Sequence, residues 1–191
     1  MFQSEIFKSG SIFSHHIHHY EEDDRNGSQI KCCDRLLNGF TGADVFFILK
    51  LKVKDVKYLK PNDTLKIREQ KTGKQNVLMV NKTTYKILKE YLEEQNPNEE
   101  DYLFKSRKGD NKHLTVSSTN LLVKNWCKSI NLQGNYGTHS LRETFGYIQR
   151  EKFGVGIEIL MKRFNHSSQY VTQRYLGIDD KEVNGILMNE I

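Results

Sequence analysis

The sequence predicts an α+β fold that is mainly helical and carries one small antiparallel β-sheet. Three observations lead there. Apolar residues recur at helical spacing over most of the chain from Asn81 onward. Two short alternating runs, 64–69 and 76–80, flank a glycine-containing loop of the length that closes a hairpin. The 191 residues, 37% apolar and 28% charged, suffice for one domain with a real core.

Residues 1–29 are polar and aperiodic and are expected to form a mobile tail, with the domain proper spanning 30–191. Segments 31–39 and 44–51 look helical. Thr64–Glu69 and Asn76–Val80 alternate as strands around the loop Gln70–Gln75. Asn81 can cap a helix over 82–95, whose apolar face is read as Tyr85, Leu88 and Leu92. Residues 102–104 form a short extended piece. Ser117 or Ser118 is expected to cap a helix through 119–130, with Leu121, Leu122, Val123 and Trp126 on its apolar face. Three more helices follow Gly137, at Ser140–Phe153, Gly156–Phe164 and Ser168–Leu176. A last short helix starts at Asp179 or Asp180 as the C-terminal tail.

No stretch approaches the ~20 apolar residues that span a bilayer. The start has no basic segment followed by an apolar run, so it does not read as a secretory signal, and a cytoplasmic protein is expected. Cys32, Cys33 and Cys127 are odd in number and lack paired zinc spacing, so they read as reduced thiols. The cluster His15, His16, His18 and His19 has no carboxylate or cysteine at ligand spacing and reads as incidental.

The net charge of +5 is concentrated. Residues 50–90 hold 12 basic and 4 acidic residues, while 91–191 balance at 13 each. A concentrated basic block favours a polyanion, because lysines near phosphates release condensed counterions. A solvated lysine face is the plainer reading of the same block.

The chemistry-bearing residues lie further on. Thr138-His139-Ser140-Leu141-Arg142 places His139 and Arg142 three apart, on one face of a helix. Phe164-Asn165-His166-Ser167-Ser168 precedes Thr172-Gln173-Arg174-Tyr175-Leu176-Gly177, so a histidine stands nine residues before a tyrosine. Upstream, Lys71-Thr72-Gly73-Lys74 sits at the hairpin tip. In this order and at these separations the four motifs resemble the tyrosine recombinases, the phage integrase family. That family's pattern is a hairpin lysine, H-x-x-R, G-H-S-S and T-x-x-Y-L-G, and the resemblance covers about residues 30–180.

The resemblance implies the tyrosine recombinase catalytic fold. It implies site-specific DNA recombination or integration, by cleaving and rejoining double-stranded DNA through a 3′-phosphotyrosine intermediate. Tyr175 is then the nucleophile, Arg142 and His166 the donors to phosphate oxygens, and His139 the candidate base. Lys71 protonates the 5′-oxygen that leaves. No cofactor and no metal is called for. These five residues are expected to converge, with Tyr175 the one to stray, because its helix is expected to move without DNA.

Two departures stand out. The family places an arginine in T-G-L-R ahead of L-x-L-x-x-x-D. Here Leu51-Lys52-Val53-Lys54-Asp55-Val56 fits the end of that motif, but its start reads Thr41-Gly42-Ala43-Asp44, with Asp44 at the arginine's position. A carboxylate there repels phosphate. The family also carries a helical DNA-clamping domain ahead of the catalytic one, and residues 1–30 are too short and polar to be it. The expected activity is therefore that of an impaired recombinase, and the alternative is a catalytically inactive DNA-binding integrase relative. A topoisomerase-like nicking activity uses the same constellation. Val183, Ile186, Leu187 and Met188 form an apolar stripe through which the tail could self-associate on DNA.

Overall fold

The computed structural model describes residues 45–68, 75–106 and 109–178. The tail 1–29, the segment 31–39, Asp44, the hairpin loop with Lys71, and the tail helix after Asp179 lie outside the described residues. Mainly helical architecture with one two-stranded antiparallel sheet is what the structure has.

The first half is built on two single-turn helices, α1 (Val45–Ile48) and α2 (Val53–Val56), followed by β1 (Thr64–Arg68) and β2 (Gln75–Met79). The strands pair antiparallel, with Lys66 opposite Val77. Helix α3 (Lys82–Gln95) starts where the sequence placed it: the Asn81 side chain accepts from the Thr84 N–H at 2.8 Å. Its buried face is Thr84, Ile87, Leu88 and Tyr91. Of the expected stripe only Leu88 is fully buried; Tyr85 and Leu92 flank it half-buried. The Tyr91 hydroxyl donates to the Leu103 carbonyl, so residues 102–104, where the expected extended piece is a bridge at Tyr102 followed by a turn, dock on α3. Ile48, Leu49, Val56, Leu78, Val80, Leu103 and Phe104 close this core.

The second half is a stack of helices: α4 (Val116–Ser129), α5 (Thr138–Phe153), α6 (Ile157–Phe164) and α7 (Gln169–Leu176). The cap of α4 is Thr115, not Ser117 or Ser118; its hydroxyl accepts from the Ser118 N–H at 3.1 Å. Its buried face is Thr119, Val123 and Cys127, at i, i+4, i+8, and Leu121 is 59% exposed. Of the expected apolar face Val123 is fully buried and Leu122 and Trp126 are half-buried, and only Leu121 turns outward. Burial pushes the Cys127 thiol up to about 11, in keeping with an inert core residue. Helix α5 begins two residues earlier than the sequence suggested, so His139 lies inside its first turn.

No helix among the described residues is long and apolar enough to cross a membrane.

Candidate active site

Helix α5 presents His139 and Arg142 from its first two turns, and its N-terminus is pinned. Asn120 on α4 turns its side-chain oxygen onto the Thr138 N–H at 2.8 Å and the Thr138 hydroxyl at 3.0 Å. This cap comes from another helix, which fixes the angle of α5 as well as ending its unpaired donors. Gly137 makes room for it: a Cβ there would sit 2.8 Å from that same oxygen.

Arg142 reaches across to the end of α6. It donates to the Phe164 carbonyl at 3.0 Å, and its guanidinium carbon lies 5.0 Å from the Phe164 ring centre. One arm of the guanidinium fork is thereby held, and the group is aimed. Arg163, the preceding residue, donates to the Val77 carbonyl on β2 at 2.7 Å. The hairpin that carries Lys71 is thus tied to the helix that leads into His166. Burial, with Arg142 close by, lowers the Arg163 pKa.

The turn between α6 and α7 places His166. Asn165 ends α6 in the left-handed region at φ 62°. Glycine occupies this position in the G-H-S-S pattern; asparagine is the other residue that adopts αL readily. Ser168 caps α7, accepting from the Val171 N–H at 3.3 Å. The His166 Nδ1 lies 3.1 Å from the hydroxyl of Thr172, which is fully buried. Burial, then the charges of Arg142 and His139, hold the His166 pKa below its ordinary value of 6.5.

Tyr175 does not stray. Its ring is 4.8 Å from that of His139 at 90°, 4.9 Å from His166 at 73°, and 5.2 Å from Phe164. It packs on the cluster of Leu160, Phe164 and Leu176. That packing shields the tyrosine oxygen from solvent. His139 itself is 72% exposed, with Glu143 3.8 Å away, beyond hydrogen-bond length. Burial raises the Glu143 pKa.

Four of the five sequence-named residues, His139, Arg142, His166 and Tyr175, therefore meet in one place. Lys71 and Asp44 lie outside the described residues. Asn120, Arg163 and Thr172 were missed. Each acts through a long-range or cross-motif hydrogen bond, and only Thr172, inside T-x-x-Y, had a signal to find it by. The basic block is partly spent within the chain. Lys52 and Lys54 pair with Glu100 at 2.7 Å, and Lys57 with Glu99 at 3.0 Å, which weakens the case for these lysines as a polyanion surface.

Comparison with known proteins identifies relatives of the chain as a whole. The model of the phage integrase family matches residues 41–182. The chain is 36% identical over 135 residues to the probable integrase/recombinase YoeC of Bacillus subtilis, covering 70% of this chain and 69% of YoeC. It is 30% identical over 143 residues to the tyrosine recombinase XerA of Pyrococcus horikoshii, covering 74% of this chain but 48% of XerA. Its fold resembles that of the XerH site-specific recombinase in a post-cleavage complex with its difH substrate, with a TM-score of 0.70 at 22% identity, over 94% of this chain and 51% of XerH. A crystal structure of XerA gives 0.68 at 20% identity, over 98% of this chain and 63% of XerA. The chain thus spans about half the length of the Pyrococcus horikoshii XerA and of XerH, and less than two thirds of the XerA in the crystal structure. The family match over most of the chain, together with the clustered His139, Arg142, His166 and Tyr175, shows that this chain belongs to the phage integrase family and has the tyrosine recombinase catalytic fold.

Proposed function

We propose that this chain cleaves and rejoins double-stranded DNA in site-specific recombination, with Tyr175 as the nucleophile. The observation that carries the proposal is the convergence of His139 and His166 on the Tyr175 ring, with Arg142 held at Phe164, against which Tyr175 also packs. In the proposed step the Tyr175 oxygen attacks phosphorus and its proton passes to His139. The bond to the 5′-oxygen breaks, and Lys71 protonates that oxygen as it leaves. Charge developing on the phosphate is met by Arg142 and His166. Rejoining is the reverse: a 5′-hydroxyl attacks the phosphotyrosine and Tyr175 departs, so the bond energy is conserved and no nucleotide is consumed. The shielded tyrosine oxygen must rotate, or α7 must shift, for a phosphate to reach it. The work is cytoplasmic, where DNA is at hand, and the tail 179–191 contributes self-association on DNA.

Asp44 favours a second reading, a DNA-binding relative that no longer cleaves. Loss of one arginine from a phosphoryl-transfer site costs on the order of 10³-fold or more in rate, and a carboxylate in its place opposes the developing charge. The test is a pool of nicked duplexes incubated with the protein, denatured, and examined for DNA that stays attached. Wild type is expected to give a weak adduct, Asp44→Arg a stronger one, and Tyr175→Phe none with binding retained. Binding without adduct in both wild type and Asp44→Arg would establish the second reading and end the first.

A further inference from the structure

Thr172 stands inside the cluster without being one of the residues assigned to phosphate chemistry. It is fully buried, and it precedes Tyr175 by three residues on α7, so both lie on one face of that helix. A threonine hydroxyl has one hydrogen to give and two lone pairs that accept. Two acceptors compete for that hydrogen: His166 Nδ1 at 3.1 Å and the Ser168 carbonyl oxygen at 3.3 Å. The choice has a chemical consequence, because a neutral imidazole carries a single N–H. If Thr172 donates to Nδ1, the imidazole proton sits on Nε2 and His166 has a donor to offer. If Thr172 donates to Ser168, it accepts the proton of Nδ1, and Nε2 is left as a lone pair that repels a phosphate oxygen. His166 is held neutral near pH 7 by its burial and by Arg142 and His139, so its tautomer decides what it can do.

We propose that Thr172 is a positioning residue whose hydroxyl donates to His166 Nδ1 and so keeps the imidazole proton on Nε2, ready for a DNA phosphate. The distances favour this direction, since the histidine is the nearer acceptor. One helix then carries both the nucleophile and the group that sets its neighbour's donor. A buried threonine that bonds back to the carbonyl one turn earlier is the ordinary alternative, and it leaves the opposite tautomer. The use made of the Nε2 proton rests on the cleavage reading above; the tautomer does not.

Two-bond proton–nitrogen correlation spectra of the full chain, with nitrogen-labelled histidine at about pH 8, report which ring nitrogen holds the proton. Wild type is expected to show His166 protonated at Nε2. Thr172→Val is expected to shift it to a mixture or to Nδ1, and Thr172→Ser to restore it. Protonation at Nδ1 in wild type, or a spectrum unmoved by Thr172→Val, overturns the proposal. Should the valine variant not fold, wild type and the serine variant still decide. In the adduct assay Thr172→Val is expected to lose about 10²-fold, the scale of one lost donor, and Thr172→Ser only a few-fold. No adduct from any variant would count against cleavage and leave the spectra to judge Thr172.

Discussion

His166 sits where three influences add. The imidazole is half-buried beneath Phe164, and it faces Arg142, His139 and Tyr175. Burial, then the charge of Arg142 and that of His139 when it is protonated, disfavour imidazolium, so its folded pKa lies below the ordinary 6.5. The sign for stability follows. As pH falls through 6.5 the unfolded chain takes up the proton first, so the folded state is at full strength above that value and weakens below it. We expect the His166 ring signals to titrate below 6.5 in the free protein, and His166→Asn to flatten the fall in stability over the same range. Titration at or above 6.5 would mean that the cationic surroundings described here are wrong. A bound phosphate should move the same titration upward, since it reverses the sign of the nearest charge.

At the scale of elements, the site exists because α5, α6 and α7 pack closely at one glycine. Gly146 on α5 is buried, and a Cβ there would meet Leu176 Cδ2 at 2.6 Å and Phe164 Cζ at 2.7 Å. Those two side chains are the floor under Tyr175. Alanine in place of glycine favours a helix interior by roughly 1 kcal/mol, whereas overpacking a filled core costs about 1–3 kcal/mol. Because Phe164 also carries the carbonyl that Arg142 grips, we expect the clash to win. Gly146→Ala should lower the thermal midpoint and displace the Tyr175 ring from those of His139 and His166. A midpoint that rises, with ring contacts intact, would show that α7 has slack not evident in its packing. The sequence could say that three helices follow Gly137, since periodicity and caps are local. It could not say that Phe164 and Leu176 press against Gly146, because a glycine in a helix looks the same whether it faces solvent or a neighbour.

Across the whole molecule, local patterns were legible and long-range partners were not. The hairpin strands were read to within a residue, and α3 to its cap, because Asn81 and the alternating runs signal through neighbours alone. The clustering of His139, Arg142, His166 and Tyr175 was legible because motif spacing already encodes a fold. Arg163 reaching Val77 across 86 residues, and Asn120 capping α5 across 18, carry no such local mark. Charge followed the same rule. The basic excess of 50–90 was visible, but its pairing with Glu99 and Glu100 was not. Hydrogen bonds from Lys52 and Lys54 hold the Glu100 carboxyl down to about 2. This pair contributes stability above the ordinary 4.5 and loses it as pH falls towards 2. Exposure and salt screen it, so Glu100→Gln should flatten the acid limb of a stability profile at low salt and leave neutral stability nearly unchanged. A large loss at neutral pH would assign Glu100 a structural weight that its exposure argues against. The central claim remains that Tyr175 takes the DNA strand onto itself. Peptide mapping by mass spectrometry of the Asp44→Arg chain, after incubation with nicked duplexes and nuclease trimming, tests it most directly. We expect a nucleotide joined through phosphate to the peptide carrying Tyr175, and its loss in Tyr175→Phe. A nucleotide on any other residue, or one that persists in the phenylalanine variant, would contradict the account.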